Sequence, residues 1–208
     1  EEISVALRRL GSKISFSASN DATYMYIESL TSNINETLDI AKEKLFSPAF
    51  NNEDFNRVKK QILESLDAED KNAQNIASKA YSKKIFGNTP FGLSASKKTI
   101  NKIKLKNIKQ YYQNFYTPNL TSIIVVGDIS QKELLNKLSF LEEWSGKEVN
   151  LPKPEEIEFP ENDNTQIYII DKPGATQSVI FMGHKADLYD AAGDHYKSKI
   201  VNYPLGGG

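Results

Sequence analysis

The stretch that decides the fold reads YYQNFYTPNLTSIIVVGDI over residues 111–129. Its aromatic residues lie at the end of a helical pattern, Pro118 follows, and a β-branched run then ends at Gly127 and Asp128. Proline cannot continue a helix, and β-branched residues favour strands. The stretch therefore predicts a helix followed by a strand over residues 120–126. Because residues 123–126 of that strand are all apolar, we expect both of its faces to be buried.

Two stretches upstream of this unit alternate between apolar and polar residues. Ile14, Phe16 and Ala18 alternate in the first stretch, and residues 23–30 alternate in the second. A period of two on both sides of a short turn is typical of an antiparallel hairpin. Apolar residues at helical spacing fill most of residues 34–115. The sequence therefore predicts an α+β fold, with an antiparallel or mixed sheet flanked by helices.

Several residues mark the predicted helix ends. Pro48 ends the first long helical pattern, and Asn52 is the predicted N-cap of the next helix. Gly87 ends a third helix, since glycine adopts the backbone conformation that follows a helix without strain. Ser130 and Glu133 have the spacing of a capping box and predict the start of a later helix.

The composition changes after Trp144. Residues 145–163 contain several prolines and glutamates without any period, which is typical of a linker. We therefore predict a first α/β domain over residues 1–144 and the beginning of a second, similar domain over residues 164–208. Both domains are expected to be truncated. The elements predicted in the second domain are strands over residues 166–170 and 178–182 and a helix over residues 190–203.

Composition and charge exclude several classes of function. The chain has 208 residues, 39% of them hydrophobic, and a formal net charge of −1, so we expect no general attraction to nucleic acid or to a membrane surface. No apolar stretch is close to the length of about 20 residues that a membrane-spanning helix needs. The chain has no cysteine, which excludes disulfides and cysteine-based zinc sites. These features predict a soluble protein of the periplasm or the cytoplasm.

Five motifs follow one another along the chain, at residues 10–18 with 21–24, 46–50, 85–92 and 111–129, and at Asn202, Leu205, Gly206 and Gly207. Together they resemble the pitrilysin or insulinase family of zinc metallopeptidases. The resemblance covers nearly the whole chain and rests on the order and spacing of the motifs rather than on any one of them. It implies one of two similar halves that enclose a peptide, with the N-terminal strand and the metal-motif helix of the first domain missing here.

The resemblance also allows the catalytic metal site to be tested. The family holds zinc with an HxxEH motif and a distal glutamate, and this chain contains no HxxEH. At the position of the distal ligand stands Ser65, whose neutral hydroxyl is a poor substitute for a carboxylate. Glu64 could serve only after a one-residue register shift, which rotates a helical side chain by about 100°. The resemblance therefore implies a non-catalytic half without a cofactor, with zinc in a catalytic half or partner.

Two further groups of residues have alternative interpretations. His184 and His195 could form a zinc pair, but their 11-residue separation favours surface or packing roles. A run of lysines favours a solvated face over a nucleic-acid site, because it lacks interleaved aromatic residues. The run contains Lys97, Lys98, Lys102, Lys104 and Lys106.

A peptide-binding surface follows from the resemblance. Family members add an extended peptide to an exposed edge strand, where main-chain hydrogen bonds provide the affinity. The matching strand here comprises Ile14, Ser15, Phe16, Ser17 and Ala18. Alternation sends the two serines to one face and the other three residues to the opposite face. The alternative is an ordinary hairpin strand without a ligand.

Three hypotheses for function follow. In the first, the chain belongs to a non-catalytic half that encloses and positions extended peptides, together with another half of the same family in the same polypeptide or in a homo- or heterodimer. In the second, it belongs to a catalytic zinc endopeptidase half whose HxxEH lies upstream of residue 1. In the third, it is a scaffold that has kept the fold without proteolysis. Nucleic acid and membranes are not expected partners.

Overall fold

The structure, a computed structural model, describes residues 2–19, 21–151, 157–161, 164–184, 190 and 193–204. The chain divides into two compact units. The predicted domain boundaries stay a prediction. The first unit contains residues 1–68 and 95–157, and the second contains residues 69–94 and 158–208.

Helices dominate the described residues, and the two strands form one antiparallel hairpin. The predicted α+β class is confirmed. In chain order the elements are α1 (Glu2–Arg9), β1 (Lys13–Ala18), β2 (Thr23–Glu28), α2 (Ile34–Phe46), α3 (Asn52–Glu69), α4 (Ala73–Phe86), α5 (Lys97–Lys102), α6 (Leu105–Phe115), α7 (Gln131–Lys137) and α8 (Asp194–Asn202). Short 3₁₀ turns lie at Thr31–Asn33, Pro90–Gly92, Pro118–Leu120 and Ser139–Glu143.

The helix ends follow their capping residues, with one correction. Asn51, not Asn52, caps α3, because its side-chain oxygen accepts a hydrogen bond from the Asp54 N–H at 2.7 Å. The predicted stop at Gly87 is confirmed by a φ of 61° directly after α4, a value that favours glycine. Ser130 accepts from the Glu133 N–H at 3.3 Å and so caps α7.

The strand predicted over residues 120–126 is wrong. Residues 121–126 have no regular secondary structure, and the side chains of Ile124 and Val126 are 90% and 96% exposed. The strands predicted over residues 166–170 and 178–182 are also absent from the structure. A strand requires a hydrogen-bonded neighbour, and within the described residues the only paired strands are β1 and β2.

The buried apolar residues of the first unit come from α1, α2 and α3: Leu7, Leu38, Ala41 and Leu66. An aromatic group extends this packing, because the Phe46 ring centroid lies 5.8 Å from that of Trp144. The second unit has its own aromatic group around α4. There the ring centroids of Phe86 and Phe159 are 6.0 Å apart, and those of Tyr81 and Phe181 are 5.4 Å apart.

Among the helices that the structure describes, none has the length and apolar content needed to cross a membrane.

Candidate functional site

One face of the β1–β2 hairpin presents hydroxyl groups and tyrosine rings. Ser15 lies opposite Tyr26 and Ser17 lies opposite Tyr24, and residues paired across strands share a face. The two tyrosine rings stack with their centroids 6.2 Å apart. Both rings are about half exposed, so this face is open to a ligand.

The other face of the hairpin is apolar. Ile14 pairs with Ile27, and Phe16 pairs with Met25. The predicted alternation of β1 is therefore confirmed. Ile14 is half-buried, whereas the Phe16 side chain is 45% exposed, so this face packs more closely at its Ile14 end.

The outer edge of β1 carries the main-chain groups that a peptide would need. In the part of the chain that the structure describes, β1 pairs with β2 alone. Successive residues of a strand direct their N–H and C=O groups alternately to the two sides, so an edge strand offers a row of donors and acceptors. This geometry fits the predicted edge strand, whose peptide-binding role stays a prediction.

A buried hydroxyl on α2 holds both ends of the hairpin. Thr37 Oγ1 lies 2.7 Å from Ser12 Oγ, just before β1, and 3.0 Å from Ser29 Oγ, just after β2. It also donates to the Asn33 carbonyl at 2.7 Å, and the Thr37 side chain is fully buried. Since both hairpin ends meet one fixed oxygen, α2 sets the position of the edge strand.

The residues predicted for the distal metal position lie on the exposed side of α3. Ser65 and Glu64 are both exposed, and a Glu64 carboxylate oxygen lies 3.8 Å from Lys60 Nζ. His184 is exposed and His195 is half-buried. Within the described residues, no group of three or more His, Cys, Asp or Glu side chains has the geometry to hold a metal ion.

The lysine run lies on α5, at Lys104 and at the start of α6, and the end of α5 is attached to α3. Lys59 of α3 donates from Nζ to the carbonyls of Asn101 at 2.9 Å and Ile103 at 2.7 Å. A cation at these carbonyls also complements the dipole at the C-terminal end of α5. Lys97 forms an ion pair with Asp67. The lysines of the run are exposed, as a solvated face requires.

Sequence reasoning missed a cleft between the end of α2 and α6. It has a volume of about 240 Å³. The Tyr112 hydroxyl donates to the Leu45 carbonyl, and its ring centroid lies 5.3 Å from that of Phe50. Burial, and next the neighbouring Tyr116, raise the pKa of Tyr112 above its ordinary value. The cleft is lined by Phe46, Ser47, Pro48, Ala49, Phe50, Lys109, Tyr112 and Gln113.

Phe50 has a backbone conformation that is unusual for its residue type. Its φ is 43°, in the left-handed region that favours glycine. Pro48 ends the helical pattern two residues earlier, and Tyr112 lies on the opposite side of the cleft, one helical turn before Tyr116. The proline and the tyrosine spacing are visible in the sequence, but neither reveals that residues 47–50 turn back against α6.

A second cleft adjoins the first and shares Phe46, Tyr112 and Gln113 with it. Its charges are balanced, because Lys42 Nζ lies 3.6 Å from a Glu143 carboxylate oxygen. In the first cleft, by contrast, Lys109 is the single charged lining residue. The two neighbouring clefts therefore differ in the ligands that they can attract.

Comparison with known families gives two matches that together span most of the chain. A family model described as the peptidase M16 inactive domain matches residues 102–208. A model described as insulinase, peptidase family M16, matches residues 1–99.

Two bacterial relatives of the chain have names that differ in whether they indicate peptidase activity. A Helicobacter pylori protein named non-peptidase homolog YmxG is 28% identical over 179 residues, which cover 83% of this chain and 40% of that protein. A Bacillus subtilis protein named uncharacterized zinc protease YmxG is 25% identical over 162 residues, covering 74% of this chain and 39% of that protein. The chain therefore spans about two fifths of the length of these curated relatives.

The fold also matches a solved structure. A crystal structure of a peptidase M16 inactive domain from Pseudomonas fluorescens superposes with a TM-score of 0.67 at 21% identity. The match covers 73% of this chain and 39% of the solved chain. At this identity the similarity concerns the fold alone.

Proposed function

Because the chain belongs to the M16 (insulinase) peptidase family, we propose that it is part of a non-catalytic half that encloses and positions extended peptides. The observation that carries the proposal is the match of residues 102–208 to the inactive domain of this family. It is supported by Ser65, which the family resemblance aligns with the position of the distal metal ligand. A second half, in the same polypeptide or in a partner, would carry the zinc.

The described residues do not fit a zinc ion. Ser65 offers a neutral hydroxyl, which binds zinc far less well than a carboxylate. The neighbouring Glu64 lies beside Lys60, whose ammonium group competes for the same oxygen atoms. We therefore assign the described residues no part in activating water for peptide hydrolysis.

The role that we propose for β1 is to hold a peptide by its main chain. The outer edge of β1 has no strand beside it within the described residues, and the adjacent face presents Ser15, Ser17, Tyr24 and Tyr26. Strand addition is tolerant of sequence, because the hydrogen bonds involve the main chain of the peptide. Thr37 keeps the hairpin in place during this pairing.

A catalytic half is the second candidate. It is favoured by the B. subtilis relative, which is named a zinc protease, whereas the H. pylori relative is named a non-peptidase. In a catalytic half the described residues would still supply the edge strand, and the metal ligands would come from elsewhere.

The test uses the full-length protein and a fluorescent extended peptide of neutral sequence, with binding measured by anisotropy. A second peptide of the same sequence carries an N-methyl group on every main-chain amide, which removes its main-chain donors on both edges and keeps its side chains. We expect the first peptide to bind and the methylated peptide to bind at least tenfold more weakly. Scrambling the sequence is expected to change the affinity by less than about threefold.

Other outcomes would separate the alternatives. Equal binding of the methylated peptide would exclude pairing along β1. No binding of any peptide would support a scaffold. Cleavage of the peptide, with zinc found in the same polypeptide by elemental analysis, would place a catalytic half on that polypeptide.

A further inference from the structure

The surface formed by α5 and α6 has an unusual concentration of positive charge. Residues 97–109 contain six lysines and no aspartate or glutamate, although the whole chain has a net charge of −1. Lys97 is engaged by Asp67. We call the other five lysines, all exposed, the basic surface: Lys98, Lys102, Lys104, Lys106 and Lys109.

The basic surface has a fixed position in the first unit. Lys59 ties the end of α5 to α3 through the carbonyls of Asn101 and Ile103. Tyr112 ties α6 to the end of α2 through the Leu45 carbonyl. Surface lysines on such anchored helices act together on a ligand, because the ligand meets a positive field that the fold maintains.

Lys109 connects the basic surface to the α2–α6 cleft. It lies three residues after Lys106 on α6, and helical residues at this spacing are neighbours. Lys109 also lines the cleft beside Phe46, Phe50 and Tyr112, and no carboxylate lines it. The cleft therefore combines apolar walls with one uncompensated cation.

The size of the cleft indicates what it can accept. Its volume of about 240 Å³ lies below the range of roughly 300–1,000 Å³ that is typical of small-molecule sites. One bulky apolar side chain is a suitable occupant. The Tyr112 hydroxyl already donates to Leu45, so the tyrosine contributes its ring to the wall.

We propose that the basic surface and the α2–α6 cleft together bind an acidic peptide segment that carries one bulky apolar side chain. The side chain enters the cleft, and the neighbouring carboxylates lie against the lysines. The assignment to peptides rests on the proposed function. It adds a substrate preference and a second contact, separate from the edge of β1.

The chemistry of the surface favours a peptide over nucleic acid. Its cations are all lysines, whereas arginine is the residue that commonly reads nucleic-acid bases. Stacking platforms for single strands need aromatic rings interleaved with the cations, whereas residues 97–109 contain none and the rings beside Lys109 form the walls of the cleft. The apolar recess at Lys109 suits a side chain better than a phosphate.

The experiment measures binding of a labelled 12-residue peptide of Glu, Asp and Ser with a single central Phe to the full-length protein. The matched peptides replace Phe by Ser, or replace the acidic residues by Gln and Asn. We expect each replacement to weaken binding at least tenfold, because one removes the apolar side chain that would be buried in the cleft and the other removes the carboxylates that would face the lysines. Affinity for the acidic peptide is expected to fall with added salt.

The protein variants compare two equal changes of charge. Lys102→Glu with Lys106→Glu reverses two charges on the basic surface and is expected to weaken binding at least tenfold. The control reverses two exposed lysines elsewhere, Lys71→Glu with Lys132→Glu, and is expected to weaken binding less than threefold. Equal losses in both variants would overturn the proposal, as would tighter binding of an oligonucleotide or of phosphatidylserine vesicles than of the peptide.

N-methylation separates this proposal from the edge-strand proposal. If the N-methylated acidic peptide still binds and the Lys102 and Lys106 variant loses it, the basic surface binds the peptide without help from β1. If methylation abolishes binding and the charge reversals have no effect, the inference about the basic surface is wrong and the edge strand remains supported.

Discussion

The β1–β2 hairpin and the segment over residues 121–126 have similar strand propensity but different structures. Both are rich in residues that favour strands, and both lie in the first unit. The hairpin forms a continuous ladder from the Lys13–Glu28 pair to the Ala18–Thr23 pair. The segment forms no ladder, and Val126 is 96% exposed.

The difference is one of distance along the chain. At the hairpin turn the Ser19 N–H donates to the Ala22 carbonyl at 2.8 Å, so the partner strand arrives after a few residues. Residues 121–126 have no strand-forming neighbour close in sequence, so their pairing would depend on distant residues. Closing a longer loop costs more conformational entropy, and strand propensity alone does not supply a partner. Strand propensity predicted a strand in both regions, but only the region with a partner close in sequence forms one.

Helix α2 supports the hairpin and also the helix that leads into the exposed segment. Thr37, near its start, meets both ends of the hairpin, and Leu45, near its end, accepts the hydrogen bond of Tyr112 from α6. We therefore expect substitutions at these contacts to affect stability more than a substitution in the exposed segment.

The largest effect is expected for Thr37→Val. The change removes a fully buried hydroxyl and leaves Ser12 and Ser29 without their shared partner on α2. We expect a loss of about 1–3 kcal/mol in the free energy of unfolding, measured by urea denaturation. The matched control is Thr23→Val on the exposed surface of β2, expected to be nearly neutral. Equal stabilities of the two variants would show that α2 does not hold the hairpin.

A smaller effect is expected for Tyr112→Phe, which removes the hydrogen bond to Leu45. We expect a loss of about 1 kcal/mol at neutral pH. Burial raises the pKa of Tyr112, so folding favours the neutral phenol. Its contribution is complete below the ordinary tyrosine pKa of about 10 and is lost as the pH rises through the folded-state pKa.

The measurement for Tyr112 is urea denaturation between pH 8 and pH 11. The difference in unfolding free energy between the natural chain and Tyr112→Phe should shrink at the alkaline end. Tyr111→Phe, on the exposed side of α6, serves as the control and should leave the curve unchanged. A difference that grows with pH would contradict the direction of the pKa shift.

The smallest effect is expected for Ile124→Lys. The Ile124 side chain is 90% exposed, so the change should alter the unfolding free energy by no more than about 0.5 kcal/mol. The same change at a buried position, Leu66→Lys, should be strongly destabilising. If Ile124→Lys also destabilises strongly, residues 121–126 are buried in the protein and the comparison with the hairpin fails.

Much of the fold could be predicted from short-range signals. The alternation at Ile14, Phe16 and Ala18 gave the correct hairpin, and the signals at Gly87 and Ser130 placed helix ends correctly. The N-cap of α3 was predicted one residue late, because consecutive asparagines offer the same chemistry and only the hydrogen bond to Asp54 distinguishes them.

The candidate sites also differ in whether they could be predicted from the sequence. The edge strand was predictable, because a period of two is visible in the sequence. The α2–α6 cleft was not, since it depends on the left-handed backbone of Phe50 and on a hydrogen bond between residues 67 positions apart. The basic surface was visible as a run of lysines, but its continuity with an apolar cleft was visible only in the structure.

The sequence by itself determined the family, the α+β class and the positions of most helices and of the hairpin, because these follow from motif order and from interactions between near neighbours. Only the tertiary structure decided that residues 121–126 are exposed, that Thr37 fastens both ends of the hairpin and that Lys109 lines a cleft. The physical reason is that burial, ladder pairing and clefts arise between residues far apart in the chain, and sequence periodicity carries no information about which of those residues meet.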